Sequence, residues 1–194
     1  MIAEANAPTS ALLTDLYQLT MLQGYFDHGM AETAVFEFFV RKLPAERNFL
    51  LAAGLEQALT FLENAHFTSE ELEWISAHGA FRPAFVRYLD KLRFSGDVHA
   101  MPEGTAFFAN EPILRITAPI AEAQLVESRL INLLHFQTLI AAKAARSVLM
   151  APTKLLVDFG LRRAHGAEAG LLAARASYLA GFAGSATVLA APLY

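Results

Sequence analysis

A chain of 194 residues in which 55% are hydrophobic and 18% charged is too apolar to be disordered and long enough to bury a core. Fifteen Lys and Arg against nineteen Asp and Glu leave a formal charge of −4, without the basic footprint of a dedicated nucleic-acid binder or a polybasic membrane anchor. The absence of cysteine excludes disulfides, zinc fingers, iron–sulfur ligation and thiol nucleophiles.

The leader, residues 1–8, carries Glu4 where a signal peptide needs a basic segment, and no apolar run precedes Asp15, so no export signal is expected. Leu16, Leu19, Leu22 and Phe26 fall at helical spacing and predict a helix over residues 12–28, with Thr14 or Ser10 as N-cap and Gly29 at its end. The β-branched and aromatic run at 33–40 predicts a strand that ends in the basic turn Arg41-Lys42-Leu43-Pro44. Two or three short helices follow. The clearest opens with the capping box Thr68-Ser69-Glu70-Glu71 and closes at Gly79, and the next starts at Pro83. Between 96 and 119, Pro102-Glu103-Gly104 and Asn110-Glu111-Pro112 punctuate short apolar runs, a pattern of strands and turns. Residues 120–150 contain neither glycine nor proline and keep apolar spacing, which predicts one long helix stopped by Pro152. A buried-strand pattern at 154–159, a helix at 167–179 and a second strand at 187–190 then make a βαβ unit, so a parallel sheet or barrel starts here. That sheet is unfinished within the chain. Residues 176–194 carry no charge and approach the length of a membrane span, but Gly181, Gly184, Ser185, Thr187 and Pro192 break the stretch into a helix end, a turn and a short strand.

The densest polar constellation is Asp158-Phe159-Gly160-Leu161-Arg162-Arg163-Ala164-His165-Gly166, on a strand-to-helix loop. Guanidinium forks there suit a phosphate or a carboxylate; an Asp158–Arg pair beside a solvated second Arg fits the same spacing. The turn Gly181-Phe182-Ala183-Gly184-Ser185 could expose backbone N–H groups to an anion or simply cap the preceding helix. Tyr17, two residues after Asp15 on the first helix, could stack on a heteroaromatic ring or belong to the core with its hydroxyl at the rim. Arg41 and Lys42 could meet phosphate or be solvated. The six histidines show no metal-binding spacing.

Taken together, residues 13–21 (with Thr14-Asp15-Leu16-Tyr17-Gln18), 36–42, 53–55, 102–104, 110–112, 138–146 and 158–165 (with Asp158-Phe159-Gly160-Leu161-Arg162-Arg163) resemble the N-terminal part of a nicotinate phosphoribosyltransferase. The resemblance implies a type II phosphoribosyltransferase of α/β class: an N-terminal α/β domain, here residues 1–150, followed by the beginning of an irregular, incomplete α/β barrel, residues 151–194. Such enzymes join nicotinate to phosphoribosyl pyrophosphate with Mg2+ and a ligase-type coupling to ATP, giving nicotinate mononucleotide in cytoplasmic NAD salvage. By the same resemblance Tyr17 is lent across a homodimer to the partner's nicotinate site, Phe159 covers the other ring face, and Arg162 meets the carboxylate or the phosphoribosyl group. Arg41 contacts phosphate from across the dimer; Asp15, Arg163 and Ser185 are further substrate-binding positions. No catalytic residue is assigned within the chain. The histidine that ATP phosphorylates and later phosphate loops would follow Tyr194, and His165 is not that histidine, so a truncated chain inactive alone is expected. A non-catalytic binding module, or a nicotinamide or quinolinate phosphoribosyltransferase, stands as the alternative; neither nucleic acid nor membrane is expected as a partner.

Overall fold

The computed structural model describes residues 8–43 and 45–194; the expectation about the leader lies outside the described residues, as does Pro44 of the basic turn. The chain forms two units. The first holds residues up to 38, 56–99 and 114–132, and the second holds 39–55, 100–113 and 133–194.

In the first unit, α1 is Leu16–Asp27, shorter at its start than the spacing predicts. Neither expected cap is free for the role. The Thr14 hydroxyl donates to the Leu125 carbonyl (3.3 Å), and Ser10 Oγ accepts from the Leu12 amide (3.0 Å) and donates to Glu71. Asp15 takes the N-cap position with extended backbone and makes no side-chain cap bond. Strand β1, Thr33–Phe38, pairs antiparallel with β5, Leu114–Pro119, with Thr33 opposite Pro119, and β3, Asp97–Ala100, borders β5 on its other side. Along β5 the period of two buries Leu114, Ile116 and Ala118. Helix α2 is Leu55–Asn64. Helix α3, Ser69–His78, opens with the expected reciprocal Thr68–Glu71 box and closes at Gly79 in the left-handed region, and α4, Pro83–Lys91, has proline in its first turn. Leu19, Leu22, Phe67, Ile75, Phe85 and Leu89 form the heart of this unit's core.

Helix α5, Ile120–Met150, has the predicted limits and supplies its first turns to this unit. Its later turns belong to the second unit, where β2, Leu50–Leu51, pairs antiparallel with β4, Ala106–Phe107. Strand β6, Val157–Asp158, runs parallel to β7, Gly184–Ser185, and α6, Ala167–Leu179, is the crossover between them. A βαβ unit is therefore present, and the described strands form one three-stranded and two two-stranded sheets without a closed barrel. The mixed helix and strand character agrees with the expected class.

Two expectations need correction. The 154–159 segment is not a buried strand: Leu155 is 81% and Phe159 73% exposed, because among the described residues only β7 pairs with β6. The second strand lies at Gly184–Ser185 rather than 187–190. The Ala190 and Ala191 amides instead close turns onto the Thr187 and Val188 carbonyls, and α7 spans Ala190–Leu193. Alanine favours the helix there, and Pro192 has no N–H for a ladder. No helix among the described residues is long and apolar enough to cross a membrane.

The second unit is tied by one acid. Glu103 accepts from Arg175 Nη1 (2.9 Å) and Nη2 (2.6 Å) and from the amides of Gly54 (2.6 Å) and Leu55 (3.1 Å). Arg175 is buried, and its Nη1 also reaches Gln137 Oε1 on α5 at 3.4 Å. Burial by itself raises the Glu103 carboxyl, but the bonds from Arg175 and the two amides outweigh it and hold the group below the usual carboxylate range.

Glu103→Gln keeps the shape and strands the Arg175 charge, so urea unfolding is expected to show a loss of about 3 kcal/mol. The pH dependence has a definite sign. A depressed folded-state pKa stabilises fully above the unfolded value of about 4.3, and the contribution disappears as pH falls through the lower folded value. The wild type should therefore lose stability on acidification through that window, and Glu103→Gln should show a shallower acid limb in the same titration.

Candidate functional site

The residues singled out from the sequence fall into two groups, one in each unit. In the first unit, Tyr17 stands in the opening turn of α1 with half of its surface exposed, which removes the reading of a core tyrosine. Its phenol oxygen accepts from Gln18 Nε2 at 3.0 Å. Desolvation, then the carboxylates of Glu127 and Asp15, raise the phenol pKa above its ordinary value. Asp15 accepts from the Ser128 hydroxyl at 2.7 Å, so its carboxylate anchors the start of α1 to α5. Sequence reasoning missed Gln124 and Glu127, which join Gln18 here: Gln18 and Gln124 are buried polar residues, and both donate to Glu127 Oε2, at 2.9 and 2.8 Å. The only available signal was the three-residue spacing of Gln124 and Glu127 on one helix face.

In the second unit the loop after β6 carries an exposed aromatic residue, Phe159, followed three and four residues later by two cations. The carboxylate of Asp158 does not pair with either arginine. Its oxygens accept from the Gly160 amide (2.9 Å) and from the Ser185 hydroxyl (2.7 Å), and the Ser185 oxygen in turn accepts from the Thr187 amide (3.0 Å). The two strand ends are thereby fastened together, and Ser185 serves as a bridge. The Ala186 amide is also consumed, by the Asp158 carbonyl at 2.8 Å. Those bonds leave the turn at 184–187 with little to offer an anion, whereas Gly181, with φ +105°, closes α6 in the manner of a cap.

Arg162 and Arg163 sit on a single 3₁₀ turn, Leu161–Arg163; both are exposed and neither has a side-chain partner among the described residues. Phe159, before the turn, is exposed as well. Gly170 of α6 lets the turn approach closely, since a Cβ there would lie 2.6 Å from Leu161 Cδ1. Arg163 also lines an open pocket of about 480 Å³ with Lys143, His165, Phe136 and Phe182, so this end of the βαβ unit is positive and partly aromatic. Such a surface can hold a planar acid or a phosphorylated group. Arg41 lies three residues past the end of β1, is exposed, and has no side-chain partner among the described residues. Among the described residues no group of three or more His, Asp or Glu could hold a metal ion.

Residues 12–135 match the family model described as the nicotinate phosphoribosyltransferase (NAPRTase) N-terminal domain. The chain is 50% identical over 184 residues to nicotinate phosphoribosyltransferase pncB2 of Mycobacterium tuberculosis, covering 95% of this chain and 40% of that protein. It is 42% identical over 181 residues to the nicotinate phosphoribosyltransferase of Bacillus subtilis, covering 93% and 37%. The chain thus spans about two fifths of the length of these curated relatives. The crystal structure of human nicotinic acid phosphoribosyltransferase superposes with a TM-score of 0.85 at 39% identity, over 93% of this chain and 37% of that one. A nicotinate-nucleotide pyrophosphorylase from Pyrococcus furiosus shares the fold, with a TM-score of 0.77 at 24% identity over all of this chain and 42% of that one. By the match of residues 12–135, more than half of its length, to the N-terminal domain model, the chain belongs to the nicotinate phosphoribosyltransferase family.

Proposed function

We propose that this chain supplies base-binding and phosphate-binding residues to a nicotinate phosphoribosyltransferase, which joins nicotinate to phosphoribosyl pyrophosphate and releases pyrophosphate. The observation that carries the reading is the loop after β6. An aromatic ring 73% exposed, followed by two guanidiniums without side-chain partners among the described residues, does little for the fold and much for an aromatic acid. Phe159 offers a ring face to the pyridine, and Arg162 offers a fork to its carboxylate or to the phosphoribosyl group. Arg163 adds positive charge, and Ser185 keeps the loop in place through Asp158.

The reaction needs little else from side chains at the base. Displacing pyrophosphate builds positive charge on the ribose ring and negative charge on the leaving group, so positioning and electrostatics supply most of the acceleration. Nicotinate attacks through a ring nitrogen lone pair that carries no proton, and no general base is required. In the proposed assembly Tyr17, with Asp15 beside it, faces the nicotinate of a partner subunit in a homodimer, and Arg41 meets phosphate across the same dimer. Mg2+ and ATP belong to the proposed reaction as companions of the phosphates. Among the described residues no cluster of three or more His, Asp or Glu could hold a metal.

Calorimetric titration with nicotinate tests the reading. Arg162→Ala is expected to weaken binding by about 10- to 100-fold, the worth of a charge-assisted hydrogen bond. Phe159→Ala should weaken it by about fivefold or more through lost stacking. Both side chains are exposed, so the urea midpoints should stay close to wild type. Nicotinamide should bind more weakly than nicotinate. Affinity unchanged in both variants, or equal binding of the two bases, would contradict the assignment.

A further inference from the structure

Tyr17 poses a physical problem. A half-exposed tyrosine in the first turn of a helix ordinarily samples several rotamers, and a ring that must meet a ligand face-on loses affinity for every rotamer it has to abandon. The first unit holds an answer behind the ring. Gln18 is fully buried, and its Nε2 donates both to the Tyr17 phenol oxygen at 3.0 Å and to Glu127 Oε2 at 2.9 Å. The Gln18 side-chain carbonyl accepts from Gln124 Nε2, which also donates to Glu127 Oε2 at 2.8 Å. Glu127 when ionised can only accept, so it dictates which end of each amide points toward it. The relay therefore has one polarity: amide hydrogens converge on Glu127, the Gln18 amide nitrogen is left facing the phenol, and the phenol oxygen is the acceptor. A buried amide whose two ends are both fixed cannot flip without losing bonds in a dry setting.

We propose that Gln18 is a positioning residue, oriented by Glu127 and Gln124, that pins the Tyr17 phenol and so holds the aromatic ring in one rotamer with a face open to ligand. The ligand half of this statement rests on the reading of Tyr17 as a nicotinate-facing residue; the rotamer half does not. Pinning before binding lowers the ordering cost of the complex, and all the groups involved lie on α1 and on the first turns of α5.

The test uses the whole chain with labelled tyrosine, Tyr17 being assigned through Tyr17→Phe. Three-bond couplings about χ1 of Tyr17 should report a single rotamer in the wild type. In Gln18→Met, which keeps the volume and removes the donor, they should move to averaged values, and nicotinate affinity should fall by about three- to tenfold. Glu127→Gln, whose amide can donate as well as accept, should move the couplings in the same direction, and it decides the matter if Gln18→Met does not fold. Unchanged Tyr88 resonances and a cooperative unfolding transition, at a midpoint above the conditions of the measurement, establish folding in either variant. Wild-type Tyr17 couplings in a folded variant would overturn the proposal. Nicotinate that leaves the Tyr17 ring resonances of the wild type unmoved would contradict the ligand-facing reading instead, and the couplings would still decide the positioning.

Discussion

The second unit depends on a carboxylate that sits among four donors. Glu103 binds Arg175 through two bonds and takes the amides of Gly54 and Leu55, at the start of a helix where orphan N–H groups favour an acid. The arrangement demands close backbone approach. Gly54 has φ +101°, and a Cβ there would stand 2.8 Å from the Leu133 carbonyl oxygen, so only glycine brings this amide to the acid without displacing α5. Arg175 stands on α6, and α6 is the crossover between β6 and β7. One ion pair thus joins the 52–55 segment, the 102–104 turn and the crossover helix, and the loop that follows β6 is carried on the result.

Holding that loop while leaving its charges free is a separate requirement, and Asp158 meets it. Were Asp158 paired with Arg162 or Arg163, one of the two guanidiniums would be committed to the fold. Its oxygens are instead occupied by an amide and a hydroxyl, Gly160 and Ser185, which supply hydrogen bonds without consuming a cation. The two arginines and Phe159 remain outward. In the first unit the Tyr17 phenol likewise meets an uncharged amide, which one carboxylate orients, while half of the residue stays exposed. In both units the polar groups nearest the chain's aromatic candidates are used for support.

The parts of this structure legible in the sequence were those governed by neighbours along the chain. Helix α5 could be read from its glycine- and proline-free run ending before Pro152, α3 from its capping box and Gly79, and α6 as a helix over 167–179. Local rules failed where a distant partner competes for the same atoms. Thr14 and Ser10 looked like caps but are drawn to Leu125 and Glu71, more than sixty and a hundred residues away in order of Ser10 and Thr14. The strand expected at 187–190 was overridden because β6 takes Gly184–Ser185 as its partner, leaving an alanine-rich run to turn helical. Phe159, Arg162 and Tyr17 could be named from motifs, yet Glu103 with Arg175 and Gln18 with Gln124 pair across separations of 72 and 106 residues. Only folding reveals such pairs.

The Glu103–Arg175 contact is a coupled unit on which the scaffold of the second unit rests. A double-mutant cycle measures it most directly. Urea unfolding of the wild type, Glu103→Gln, Arg175→Met and the double variant should give a coupling of about 2 kcal/mol or more, because Glu103→Gln has little left to disrupt once the buried cation is gone. Additive effects, with a coupling near zero, would contradict it.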